Sequence, residues 1–99
     1  MKNENSPLIK YTPLFNKQRR AASIEIKSAF REAIELFFDN PNHPSLRNHV
    51  LREQYAGYRS IDITADWRAL FKIRKSKLKT VITFHILGTH AQLYEKVST

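Results

Sequence analysis

The chain contains no cysteine in its 99 residues, so disulfide staples and thiolate metal sites are excluded. It also lacks any apolar run long enough to span a bilayer and any segment resembling a secretory signal, and a soluble, cytoplasmic protein is expected. No internal repeat or low-complexity stretch is present. Carboxylates are scarce: 9 Asp plus Glu stand against 17 Lys plus Arg, a net charge of +8. An excess of that size favours a polyanionic partner, either nucleic acid or an acidic protein, and a merely basic, soluble surface is the plainer alternative. The basic residues run along the whole chain, which argues against a disordered basic tail. The length is that of one small core, so residues 1–99 are read as a single domain.

What is present reads as helices first and strands after. The opening MKNENS is polar, and residues 1–6 are expected to fray. LIKYT predicts a short first strand stopped by Pro13. From Pro13 to Asp39 the pattern is helical, broken near Ala22 and Ser23, where Ser23 offers an N-cap. In the second piece Ile26, Ala29, Phe30, Ala33, Ile34 and Phe37 recur at three-and-four spacing, so this stripe is core rather than a ligand site. DNPNHP, with two prolines beside Asn and Asp, must end the helix. Beyond it NHVLREQ predicts a short strand, Gly57 a turn and residues 58–64 a strand by alternation. WRALFKI and TVITFHILG predict two more strands on either side of the basic turn RKSKLK. The expected fold class is α+β, with N-terminal helices packed on one face of a small twisted antiparallel sheet.

With Asp66 near the tip of a tight turn, Asp62 falls opposite Arg68 and Ile63 opposite Trp67. Alternation then puts Ile61, Ile63, Trp67, Ala69, Phe71, Ile73, Ile82, Phe84 and Ile86 beneath the helices. Asp62, Thr64, Arg68, Lys72, Thr83 and His85 face away. The solvated side of an ordinary antiparallel sheet also reads this way. Three details set this face apart: its cations sit on neighbouring strands, His90 and Tyr94 follow directly after the last strand, and Asp66 lies at the same rim. Arg, Lys, His, Asp and Tyr on one concave surface meet the needs of metal-free RNA cleavage. That reaction takes a base for the ribose 2′-OH, an acid for the leaving oxygen and cations for the phosphorane-like charge. Each residue also has a plainer reading. His49 can be a polar residue beside a proline-rich loop, His85 a sheet-edge histidine, and Tyr94 a ring capping the core. Alternation turns Arg59 toward the helix side, where it can snorkel or pair with a helix carboxylate. The four histidines show no ligand spacing and carboxylate partners are few, so no metal and no cofactor are expected.

HPSLRNHVL, GYRSIDITADWRALFKI and ILGTHAQLY, in this order and spacing, resemble the RelE/ParE toxin superfamily, its YafQ-like branch most closely; the likeness covers about residues 37–95. The resemblance implies a small basic toxin of a type II toxin–antitoxin module, an endoribonuclease that enters the ribosomal A site and cuts mRNA there. It also implies a cognate antitoxin, here expected to be acidic. Carried over by position, His49, Asp66 and His90 take acid–base roles, Arg68 is the arginine after the aromatic residue, Tyr94 the aromatic position after GTH, and Arg59 a basic position. Asp62, Lys72 and His85 join Arg59 as expected substrate-binding residues. Two positions depart from the pattern: Asp62 stands where the branch has a further histidine, and Ile86 where it has an arginine on the last strand. Losing such a cation weakens phosphate stabilisation by about 2–4 kcal/mol unless a neighbour substitutes, and His85 is the candidate substitute. A ParE-like chain that blocks a topoisomerase and an inactive relative serving as an interaction module are the alternatives. Gly88 is expected to let the chain leave the last strand through a conformation closed to larger residues, bringing His90 over the rim and Tyr94 to an mRNA base. Arg68 is expected to be an exposed sheet-face side chain with little part in packing.

Overall fold

The computed structural model describes residues 7–94, and the expected fraying of residues 1–6 lies outside the described residues. Strand β1 (Leu8–Tyr11) leads into helix α1 (Pro13–Ala21), and α2 (Ile24–Asp39) follows after a break at Ala22 and Ser23. Caps explain both starts. Thr12 Oγ1 accepts the Phe15 N–H at 3.0 Å with Pro13 in the first helical position, and Ser23 Oγ accepts the Ile26 N–H at 3.3 Å. A 3₁₀ turn (Pro44–Leu46) precedes β2 (His49–Val50), and another (Glu53–Tyr55) precedes β3 (Arg59–Asp62). Strands β4 (Trp67–Lys75) and β5 (Thr80–Thr89) form a long hairpin, and α3 (His90–Tyr94) ends the described chain. Among the described residues no helix is long and apolar enough to cross a membrane.

The five strands lie in the order β1-β5-β4-β3-β2. β2 to β5 form the expected antiparallel meander, whereas β1 runs parallel to β5. The sheet is therefore mixed. No hairpin joins β1 to β5; the intervening helices and strands form a crossover connection, which is what a parallel pairing requires.

The main core lies between the sheet and the first two helices. Phe15, Phe30, Phe37, Phe71 and Phe84 are at most 2 % exposed. Their neighbouring ring centroids lie 5.1 to 5.9 Å apart in tilted and edge-on contacts, the geometry that aromatic quadrupoles favour. Ile61, Ala69, Ile82 and Leu87 fill the spaces among them.

One irregularity decides what reaches the opposite face. Leu70 pairs with Ile86 but Phe71 pairs with Phe84, so His85 is the extra residue of a bulge in β5. Beyond the bulge the faces exchange. Leu87 enters the core, and Ile86 joins Leu70 on the other side. The expectation that Ile86 lies beneath the helices is thereby corrected, because simple alternation does not register an inserted residue. Helix α1 secures this region. Thr12 donates from Oγ1 to the His85 carbonyl at 3.2 Å and from its amide to the Phe84 carbonyl at 3.0 Å, while Gln18 Oε1 accepts the Leu87 N–H at 2.8 Å. The stretch of β5 edge that β1 does not reach thus keeps its backbone bonds.

Candidate active site

By register, the face away from α1 and α2 carries His49, Ser60, Asp62, Arg68, Leu70, Lys72, Thr83, Ile86 and Gly88. It is not a bare solvated surface: Leu70 is 0 % and Ser60 1 % exposed. The segment bearing Tyr55 and Tyr58 meets α3 over this face, with Tyr55 Oη donating to the Leu93 carbonyl at 2.9 Å.

The β3–β4 hairpin holds the charged centre. Asp62 and Arg68 are direct cross-strand partners, with Arg68 Nε 3.1 Å from Asp62 Oδ1 and side chains only 15 % and 14 % exposed for Arg68 and Asp62. The contact is an ion pair without hydrogen-bond alignment, so the buried Oδ1 has no hydrogen-bond partner. Arg68 Nη1 donates to the carbonyls of Thr64, Ala65 and Trp67 at 3.2, 3.1 and 3.2 Å. This corrects the expectation of an exposed Arg68 with little part in packing: the guanidinium clamps the turn as well as carrying charge. A second cation approaches from the loop before β2. Arg47 has a left-handed backbone (φ 48°), holds its Nε 3.4 Å from Asp62 Oδ2, and leaves 71 % of its side chain exposed. That backbone costs a non-glycine residue about 1–2 kcal/mol. The Arg47 carbonyl lies 2.7 Å from His49 Nδ1. Since a carbonyl only accepts, Nδ1 carries the proton and Nε2 of neutral His49 keeps its lone pair.

Helix α3 closes the rim. The His90 N–H donates to the Asp66 carbonyl at 2.9 Å, tying the end of β5 to the hairpin turn. Thr89 N–H donates to Gln92 Oε1 at 2.9 Å, and Gln92 N–H donates to Thr89 Oγ1 at 3.0 Å, which caps the helix reciprocally. Gly88 stays within β5 and has no left-handed backbone. Its expected role as the turning point is corrected, because a Cβ there would stand 3.1 Å from Gln92 Oε1 and 3.6 Å from Leu93 Cδ2. What Gly88 supplies is room for α3, and the chain leaves the strand at His90.

Five rings then form a continuous row. His90 lies 4.6 Å from Tyr94, Tyr94 5.6 Å from Tyr55, Tyr55 6.1 Å from Tyr58, and Tyr58 5.4 Å from His85, centroid to centroid. Lys72 Nζ stands 4.5 Å from the centre of the Tyr58 ring. Burial raises the Tyr94 pKa, with Tyr55 adding and Arg68 opposing, so its phenol is neutral at pH 7. Burial, aided by Lys72, lowers that of His85, which favours the neutral imidazole.

Solved chains of this architecture are known. YafQ from E. coli strain BL21(DE3) is 24 % identical, with 87 % of this chain and 96 % of that one covered at a TM-score of 0.66. A YoeB/ParE toxin from Agrobacterium tumefaciens is 16 % identical, with 84 % and 98 % covered and a TM-score of 0.68. The chain has the RelE/ParE toxin fold. A chain of the E. coli DinJ–YafQ toxin–antitoxin complex is similar as well, at 22 % identity, 90 % and 98 % coverage and a TM-score of 0.66. No protein-family model matches the sequence, and no curated protein matches it.

Within this RelE/ParE fold, Asp62, Asp66 and Arg68 lie on the β3–β4 hairpin, His49 on the neighbouring β2, and His90 and Tyr94 on α3, which is tied to the hairpin turn. Lys72 and His85 lie at the far end of the ring row. Arg59 is not on this face: it pairs in register with Phe71, and its Nε donates to Asn48 Oδ1 at 2.9 Å rather than to a helix carboxylate. Sequence reasoning missed Arg47, Tyr55 and Tyr58. The available signals were the arginine in HPSLRNHV and two tyrosines flanking the Gly57 turn in YAGY. Among the described residues no three His, Cys, Asp or Glu side chains gather to hold a metal ion.

Proposed function

We propose that the protein is the toxin of a type II toxin–antitoxin module, a ribosome-dependent endoribonuclease that cuts mRNA by acid–base chemistry and uses no metal. The observation that carries this reading is the pair of arginines that share Asp62 on the sheet face, with His49 bonded to the backbone of Arg47 on one side and Asp66, His90 and Tyr94 at the hairpin turn and α3 on the other. The fold it has in common with solved toxins supports it.

In the proposed reaction His49 Nε2 takes the proton of the ribose 2′-OH, and the 2′ oxygen attacks the adjacent phosphorus. The bond from phosphorus to the 5′ oxygen breaks, His90 or Asp66 returns a proton to that oxygen, and a 2′,3′-cyclic phosphate and a 5′-OH result. Arg68 and Arg47 hold the phosphate and its developing charge, with Asp62 keeping both guanidinium groups convergent until the phosphate arrives. The more exposed Arg47 supplies the cation that Ile86 on the last strand cannot. Tyr94, backed by Tyr55, offers rings for bases splayed from the message.

The antitoxin in this reading is an acidic segment that folds as it binds. Both ion pairs among the described residues use Asp62, so most of the surplus positive charge has no internal partner there. Brief induction followed by mapping of mRNA 5′ ends tests the reading. New ends confined to translated messages are expected. Growth arrest with intact messages and topoisomerase-linked DNA breaks would replace it with the ParE-like alternative.

A further inference from the structure

Beyond the rim, the same sheet face opens into a cleft of about 620 Å³ between β1, β4, β5 and the β4–β5 turn. Its cations are Lys10, Lys72, Arg74 and Lys79, and no carboxylate lines it. None of the four is ion-paired among the described residues. Their placement is a consequence of register. Lys10 pairs with Thr83 and Thr83 with Lys72, so the two lysines stand on one face two strand spacings apart, about 10 Å. Arg74 follows Lys72 on the same side of β4, and Lys79 comes from the turn, where Ser76 accepts its amide. His85 lines the cleft as well and touches Tyr58, the end of the ring row that begins at His90.

We propose that this cleft is a second binding site, for the sugar–phosphate backbone of the single-stranded RNA that continues from the reactive rim. Rings and unpaired cations in one continuous track are the arrangement that holds a flexible strand, with stacking for bases and ammonium or guanidinium groups for phosphates. An acidic peptide would need the cations but would leave the ring row without a purpose. A rigid duplex would engage the phosphate-binding cations but could not stack its paired bases on the rings. The identity of the strand rests on the ribonuclease reading, whereas the anion-binding property of the cleft does not.

The test uses the intact protein and RNA oligonucleotides with 2′-deoxy sugars throughout the rim-binding segment, so that binding is read without cleavage. Fluorescence anisotropy compares a three-nucleotide probe, which fills the rim alone, with a nine-nucleotide probe that reaches the cleft. Lys10→Gln, Arg74→Gln and Lys79→Gln are combined in one variant, since all three side chains are exposed and circular dichroism can verify the fold. The long probe should bind the parent more tightly than the short one. The triple variant should lose about tenfold or more for the long probe only, and its salt slope should flatten by about 0.7 per phosphate contact removed. Equal affinity of the parent for both probes, or an unchanged triple variant, overturns the proposal. So does a triple variant that loses an acidic antitoxin but keeps the long RNA, and so does a duplex that binds as well as the single strand. A parent that binds the long probe in this way yet never cuts on ribosomes leaves the cleft standing and removes the ribonuclease reading. A parent that cuts on ribosomes yet binds the two probes equally does the reverse.

Discussion

Arg68 commits Nη1 to three turn carbonyls and Nε to Asp62, so in the proposed reaction folding and phosphate binding draw on one side chain. Arg68→Ala should therefore abolish cleavage and also destabilise the protein by about 1–3 kcal/mol, read as a lower Tm and an earlier urea midpoint. Unchanged stability would mean that the clamp contributes nothing. Arg47 is the cleaner probe, because its side chain projects into solvent. Arg47→Ala should leave stability within about 0.5 kcal/mol and slow cleavage about a hundredfold, whereas parental cleavage would show that another group compensates for Ile86. His85 offers a pH test. Burial holds its folded pKa below the ordinary histidine value, so the unfolded chain binds more protons on the acid side. Its contribution to stability is complete above about pH 6.5 and is lost as pH falls through the folded pKa. Thermal unfolding of His85→Asn should accordingly decline less steeply below that pH than the parent does; identical slopes would contradict the assignment.

Among elements, the β3–β4 hairpin was the most legible in the sequence. A two-residue period and a turn around Asp66 are local signals, and they sufficed to pair Asp62 with Arg68. The helix break at Ser23 was legible for the same reason, since a cap is read from adjacent residues. The β5 bulge was not. It is flanked by hydrogen bonds with Thr12 and Gln18, some seventy residues away in the chain, and it moved Ile86 to the face that carries Asp62 and Arg68. The direction of β1 was likewise hidden, since nothing within LIKYT records whether its partner is parallel. Gly88 misled because the restriction is space against α3 rather than backbone conformation. Gly88→Ala should displace Gln92 and loosen its bond to the Thr89 amide, at a cost of about 1 kcal/mol. Hydrogen exchange should find α3 less protected in that variant, and unchanged protection would show that the contact relaxes freely.

For the molecule as a whole, a core of five phenylalanines anchors one face of the sheet and leaves the other to the charged centre and the ring row. Phe84, in contact with four other phenylalanine rings, should cost about 3–5 kcal/mol on replacement by alanine and weaken every function through the fold. The net charge of +8 was legible from composition, but its distribution into a rim and a neighbouring cleft required the strand register. In the proposed function the rim is a catalytic centre rather than a binding surface. Single-turnover cleavage of mRNA on programmed ribosomes, measured for the parent and for His90→Ala alongside ribosome binding, tests it most directly. The parent should cut, and His90→Ala should lose about 10² to 10⁴ in rate at nearly unchanged ribosome affinity. Cutting by His90→Ala at the parental rate, or no cutting by the parent at all, would contradict it.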